Sequence, residues 1–370
     1  MKRDLVIVLL IALALGSWLG WQTRVPEPEP VRLQAGGLLT AAPDEFRRVT
    51  GPEPLQFPAD HALHPGYRNE WWYFTGSLDS PAGPVGFQFT LFRFALDPGP
   101  MPDSAWQAEA VWMAHLAVSD SVEETFHQAE RFARGAVGLA GARSDRWWLR
   151  DWQVTATDEG WRLIADAGDF AVELNMAQLK PFVLQGDGGY SQKGPEAGNA
   201  SRYYSATRLA TTGRIRVNDR WRDVEGSAWL DREWGSSQLS DDLAGWDWFA
   251  LQLDDGRDLM VYRLRHHDGS PSRYSAGVVV AEDGTPSHLG VDDFSTTEQR
   301  WWRDQEGHRW PLAWQVSVPE AELDLLVEPL FDQQRWDGAV IYWEGAMRVR
   351  DADSGEPLGR GYLELSGYAD

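Results

Sequence analysis

From Trp152 to Met176 apolar and polar residues alternate with a period of two. Trp152, Val154 and Ala156, then Trp161, Leu163 and Ala165, then Phe170, Val172, Leu174 and Met176 fall on one face. Successive side chains of an extended chain point to opposite sides, so each run predicts a strand with one buried face. Asp158-Glu159-Gly160 and Ala167-Gly168-Asp169 break the runs with turn residues, which predicts an antiparallel meander. The pattern returns near the C-terminus with Leu312, Trp314, Val316 and Val318, then Leu323, Leu325 and Val327. No long helical period follows residue 42, so the folded part is expected to be all-β.

Some of these strands recur. Trp152-Gln153-Val154 matches Trp314-Gln315-Val316, 162 residues later. Trp71-Trp72-Tyr73-Phe74 leading to Phe87-Gln88-Phe89-Thr90-Leu91 matches Trp246-Asp247-Trp248-Phe249 leading to Leu259-Met260-Val261-Tyr262. A strand-only repeat of roughly 150 residues is too long for a solenoid and implies two copies of one β domain. The expected division is residues 43–204 and 205–370, with Trp152 and Trp314 equivalent. The Pro- and Gly-containing stretch Asp97–Ser104 is expected to absorb the difference in spacing between the two matches.

The N-terminus breaks the pattern. Leu5 to Thr23 carry no charge and follow Lys2 and Arg3. That is long enough for a hydrophobic helix serving as a membrane anchor, while Ala14-Leu15-Gly16 would suit cleavage of a signal peptide. The basic start keeps the N-terminus inside, so either reading of residues 1–23 places the remainder outside the cytoplasm, periplasmic or secreted. Residues 24–42, with Val-Pro-Glu-Pro-Glu-Pro-Val, read as an extended spacer.

Charge and composition narrow the partners. Asp and Glu number 56 against 34 Lys and Arg, a net charge of −22. That sign excludes nucleic acid, which needs a basic footprint, and disfavours anionic lipid headgroups. The absence of Cys excludes disulfides, thiol catalysis and Cys-bound zinc. Trp is abundant, 21 residues against 10 Tyr and 14 Phe, and such flat apolar faces suit sheet packing or a ligand cavity.

Few residues invite chemistry. No Gly-x-Ser-x-Gly elbow is present. His61 and His64, with Glu70 nearby, stand in a Pro-Gly loop, where polar contacts rather than metal ligation are expected, and no cofactor or metal is expected. The glycine-rich Gln185–Gly194 stretch has no phosphate-loop spacing and reads as a structural loop. Two segments set polar groups among aromatics. One places Arg68, Asn69 and Glu70 ahead of Trp71 and Trp72. The other is Glu225 to Gly235, where alternation puts Ser227, Trp229, Asp231 and Glu233 on one face, either a solvent side or a site.

Tyr73-Phe74-Thr75-Gly76, Ser201-Arg202-Tyr203-Tyr204-Ser205, and Trp229-Leu230-Asp231-Arg232-Glu233-Trp234-Gly235 followed by Gly245-Trp246-Asp247-Trp248 carry a resemblance. From about Asp60 to Tyr368 the chain resembles the family of AttH-type proteins and bacterial carotenoid 1,2-hydratases, some of whose members are labelled secreted hydrolases. The resemblance implies two tandem lipocalin-like antiparallel β-barrel domains. It also implies Asp231 as the proton donor of a hydro-lyase, the position the hydratase branch uses. That branch has His-Tyr-Trp where this chain has Arg202-Tyr203-Tyr204.

Adding water to an isoprenoid double bond requires an acid and aromatic faces that stabilise a cation. A desolvated Asp231 with Trp229, Tyr204, Trp246 and Trp248 would supply both, and Tyr203, Arg202, Glu70 and Trp72 complete the expected ligand-binding set. An Arg partner, Arg202 or Arg232, would instead hold Asp231 ionised as a salt-bridge partner. Three functions follow: binding of an apolar isoprenoid or lipid ligand in a barrel cavity between or within the domains, hydration of such a ligand, or service as a scaffold for a membrane-protein partner.

Overall fold

The protein is described by a computed structural model covering residues 45–99, 104–236, 239–240 and 242–369. The expected leader, N-terminal helix and spacer lie outside the described residues. Within them the chain is all-β, with two barrel-like sheets of thirteen and ten strands and two single 3-10 turns, Ala59–His61 and Pro319–Ala321. No helix among the described residues is long and apolar enough to cross a membrane.

The first sheet runs in space Thr125–Arg134, Ala110–Asp120, Gly83–Ala95, Asn69–Ser80, Arg220–Gly235, Ala200–Val217, Phe170–Gln178, Gly160–Asp166, Trp152–Ala156, Arg146–Leu149, Ala140–Arg143, with the short strands Val183–Leu184 and Tyr190–Gln192 paired to Ala200–Val217 off this path. The second runs Pro286–Leu289, Ala276–Val280, Asp258–His266, Leu243–Leu253, Pro357–Ser366, Ile341–Asp351, Leu323–Pro329, Arg309–Val318, Ser295–Arg303, with the short strand Arg335–Asp337 paired to Ile341–Asp351 off this path. Read outward from the two central strands, both orders are the same. The first sheet adds the hairpin Ala140–Leu149 at its edge.

This order corrects two expectations. The boundary at 204/205 falls inside the unbroken strand Ala200–Val217, which pairs with Arg220–Gly235 in the first sheet, so the chain changes sheets only between Gly235 and Leu243. Trp152 and Trp314 are not equivalent. Trp314 lies on the second strand out from Ile341–Asp351, a place filled in the first sheet by Gly160–Asp166 and its Trp161. Trp-Gln-Val is simply how a half-buried strand reads, so a three-residue match fixes no register. The Trp71–Phe74 and Trp246–Phe249 match does fall on corresponding strands, with Phe74 and Phe249 both fully buried.

Each barrel interior is filled. Trp72, Phe74, Phe87, Trp112, Trp147 and Trp152 pack inside the first, and Phe249, Trp310, Trp314, Trp343 and Leu363 inside the second. A third apolar cluster with Tyr73, Tyr203, Trp229, Trp248, Tyr262 and Tyr362 draws residues from the outer faces of both sheets. There the sheets come close enough that a Cβ on Gly86 would stand 2.6 Å from the Cβ of Ala346, which is why that position has no side chain.

Candidate active site between the two sheets

Between the barrels, where aromatic side chains of both outer faces meet without filling the space, lies a cavity of about 150 Å³. A cavity of that size accepts a benzene-sized group. Trp71, Tyr73, Phe92, Tyr203, Asp231 and Glu233 line it from the first sheet, and Trp246, Trp248, Tyr262, Tyr342, Glu344 and Glu364 from the second. Of the two expected locations, within or between the domains, the open space is at the second: packed aromatics occupy both interiors, and the cavity lies where the two sheets meet.

Asp231 is buried at the cavity wall, and alternation along Arg220–Gly235 turns it outward together with Trp229 and Glu233. Its carboxyl accepts hydrogen bonds from Tyr203 Oη at 2.5 Å, Ser205 Oγ at 2.5 Å and Trp229 Nε1 at 2.7 Å. Burial pushes its pKa up to about 7, and the nearby Glu233 adds to that, while the three donors pull the other way without overcoming the desolvation.

Neither candidate arginine reaches it. Arg232 points to the opposite face, where it lies 3.9 Å from the Trp72 ring centroid and 2.5 Å from Glu70. Arg202 pairs with Glu53 at 3.4 Å.

The same parity sorts the other expected ligand-binding residues. Trp229, Tyr203, Trp246 and Trp248 stand on the cavity side, Trp248 donating to Tyr203 Oη at 3.4 Å. Tyr204, Arg202, Glu70 and Trp72 do not, a correction with one cause. Each sits one residue out of step with the cavity row on its strand, so its side chain turns away. Tyr204 bonds His61 Nδ1 at 2.6 Å, and Glu70 bridges Arg232 and Arg93. His64 stacks on Trp234 with ring centroids 3.8 Å apart and contacts Asp60 and Glu70, so the loop histidines serve as polar contacts.

The sequence reading missed the facing wall. Glu344 and Glu364 lie directly opposite each other on adjacent strands, the first buried and the second half-buried. Tyr73 donates to Glu344, and Trp246 Nε1 donates to Glu364 at 2.6 Å. Burial, reinforced by its partner's charge, holds Glu344 far above the carboxylate range, and burial brings Glu364 to about 7. Lys193 was missed as well. It sits in the segment read as a purely structural loop, pairs with Glu233, and donates to Ser201 at 2.8 Å beside the Tyr203 and Tyr262 rings. A lone acid inside an apolar run, as in Trp343-Glu344-Gly345 or Leu363-Glu364-Leu365, is the signal that could have found the pair.

The site therefore carries three carboxyl groups biased to the acid form on the walls of an aromatic cavity. Carboxyl groups kept in the acid form by burial have the protonation state that general-acid chemistry requires.

Comparison with known proteins follows this geometry. The family model described as AttH-like matches residues 48–368. A crystal structure of a protein assigned to AttH from Nitrosomonas europaea is 34% identical, with a TM-score of 0.78 over 87% of this chain and all of that one. Kievitone hydratase from Nectria haematococca shares the fold at 12% identity, with a TM-score of 0.62 over 88% of this chain and 99% of its own. CghA in complex with Sch210972 does so at 13% identity and a TM-score of 0.52, over 90% of this chain and 98% of its own. No curated protein matches the sequence. With a family model spanning most of its length and a relative sharing a third of its residues, this chain belongs to the AttH-like family.

Proposed function

We propose that the cavity between the sheets binds an apolar, unsaturated small molecule of isoprenoid or lipid type, and that Asp231 protonates one of its double bonds as the first step of hydration. The observation that carries this reading is the Asp231 carboxyl, buried at an aromatic wall with three hydrogen-bond donors and no arginine. With a pKa near 7 it holds its proton over much of the neutral range and surrenders it readily. The π electrons take that proton to form a C–H bond, the flanking aromatic faces stabilise the resulting cation, and water closes the reaction by giving its oxygen to carbon and its own proton to a base. The fold is compatible with this chemistry, being that of a kievitone hydratase. A leader at residues 1–23 would place the reaction outside the cytoplasm.

Simple binding of the same ligand is the second reading, favoured by the apolar lining, and one variant separates the two. Asp231→Asn keeps the shape and removes the acid. Wild type and variant are compared for water addition to an acyclic isoprenoid alkene and for affinity toward it. Loss of about 10²-fold or more in turnover with affinity within a few-fold supports protonation by Asp231. Equal turnover sinks it, and binding with no turnover in either protein leaves the binding function.

A further inference from the structure

One lateral row of side chains crosses the outer face of the first sheet. The strand register sets Glu130 opposite His115, His115 opposite Thr90, Thr90 opposite Tyr73 and Tyr73 opposite Asp231. Directly opposed residues share a face, so the row leads from the cavity to the sheet edge. At that edge the Glu130 side chain is 19% exposed, whereas His115 is 1% exposed. The second sheet lays Tyr342 and Glu344 over this row.

Hydrogen bonds link the outer part of this row. Glu130 Oε2 lies 3.0 Å from His115 Nε2, and His115 Nδ1 lies 2.7 Å from Tyr342 Oη. Tyr342 and Glu344 stand two residues apart on the same strand, both on the cavity wall, where Tyr342 pulls the Glu344 pKa down, and Glu344 also accepts from Tyr73, the cross-strand neighbour of Asp231. Stacking on Trp336, with centroids 4.1 Å apart, fixes the imidazole plane. Backbone N–H of Ala339 donates to both Glu130 oxygens, at 3.3 and 3.2 Å, and fixes the outer end.

We propose that Glu344 exchanges its proton with bulk solvent through Tyr342, His115 and Glu130, a relay assembled across the two sheets. It deepens the reading of the cavity as a proton-transfer site, because a buried acid on the cavity wall that gives up its proton during a turnover must be recharged from solvent before the next. In the charged state the Glu344 O–H donates to Tyr342 Oη, the Tyr342 O–H donates to His115 Nδ1, and His115 Nε2–H donates to the Glu130 carboxylate. Discharge moves each of these three protons one bond outward. Glu344 becomes a carboxylate, His115 carries its hydrogen on Nδ1 instead of Nε2, and Glu130 releases one proton to water. Reversal recharges it, and no charge rests on the imidazole in either state.

The surroundings suit this. Burial lowers the pKa of His115 against the opposing pull of Glu130, which keeps the ring neutral and able to relay. Glu344 is faced by Tyr73, Tyr342, Tyr362 and Glu364, and none of these is a cation that would hold it ionised.

The test needs no substrate, so it fails or succeeds separately from hydration. The carbonyl stretch of a buried carboxylic acid is followed by infrared spectroscopy after transfer to D2O, and Glu344→Gln identifies the Glu344 band by removing it. Tyr342→Phe, which keeps the ring and removes the relaying oxygen, is expected to slow exchange of that band about ten-fold or more, and Glu130→Gln to slow it at the solvent end. In parallel, nitrogen NMR of His115 should show hydrogen on Nε2 while Glu344 is protonated and on Nδ1 once it ionises, a swap absent in Tyr342→Phe. Exchange equally fast in both variants, a tautomer that ignores pH, or no acid band lost in Glu344→Gln overturns the relay.

Discussion

Asp231 illustrates how one side chain's meaning depends on which way it points. Its neighbours in sequence, Leu230 and Arg232, face the barrel interior, while Asp231 itself faces the cavity, so the adjacent charge that would have ionised it is on the other side of the sheet. The consequence is measurable as stability. In the unfolded chain the carboxyl ionises near its ordinary value of 3.8, whereas in the folded protein it does so at about 7. Between those values the folded state holds a proton that the unfolded state has lost, so this group makes the protein less stable as pH rises. Relative to Asp231→Asn, wild type should lose on the order of 2–3 kcal/mol between about pH 5 and 8, since each pKa unit corresponds to about 1.4 kcal/mol. Urea titrations of both proteins at the two pH values measure this, and a constant difference would show that Asp231 is already ionised.

At the scale of the element, the strand Arg220–Gly235 serves two sites with opposite electrostatics. Its outward residues line an apolar cavity, and its inward Arg232 completes a buried network in which Glu70 meets Arg232 at 2.5 Å and Arg93 at 3.0 Å. Burial alone would raise the pKa of Glu70, but Arg232, His64 and Arg93 overcome it and hold the group at about 2. Glu70→Gln removes the carboxylate that pairs with Arg232, while Arg93 keeps Glu109 at 2.7 Å, and breaking such a buried pair costs about 3–5 kcal/mol. The wild-type advantage should be full above pH 4.5 and shrink as pH falls toward 2, the reverse of the Asp231 profile. Chemical denaturation at neutral pH checks the magnitude, and a change below 1 kcal/mol would mean that the network reorganises around Gln.

For the whole molecule the decisive feature is that the two sheets share buried polar contacts as well as a cavity. Lys180 of the first half donates to Gly256 O at 2.7 Å, Asp258 at 2.7 Å and Ala281 O at 2.9 Å, and Arg208 pairs with the same Asp258. Separating the sheets would break both ion pairs of Asp258 and remove Thr207 from it as well. The two barrels should therefore unfold in one transition, and a protein lacking residues 1–42 should do so as well, with a far-UV spectrum of β type. Coincident denaturation curves from Trp fluorescence and circular dichroism are the expected result, and two separated transitions would show independent barrels.

Alternation of apolar and polar residues determined by itself that the chain is all-β, which residues of each strand share a face, and that Asp231 travels with Trp229 and Glu233. These are local properties, fixed by the geometry of an extended backbone, and the Trp229–Gly235 run with its downstream Trp-Asp-Trp also carried the family. What alternation cannot say is which face meets what. Trp72 and Trp71 are both apolar, yet one fills the barrel and the other lines the cavity, and Glu70, Arg202 and Tyr204 fall on the wrong side for the same reason. The packing of one sheet's outer face against the other decided where the cavity lies, that Arg232 and Arg202 leave Asp231 alone, and that Glu344, Glu364, Lys193 and His115 belong to its walls. Glu344 is 113 residues from Asp231 in sequence, and only the docking of two barrels brings their strands face to face, because burial and proton affinity are properties of what surrounds a group, not of the group's place in the chain.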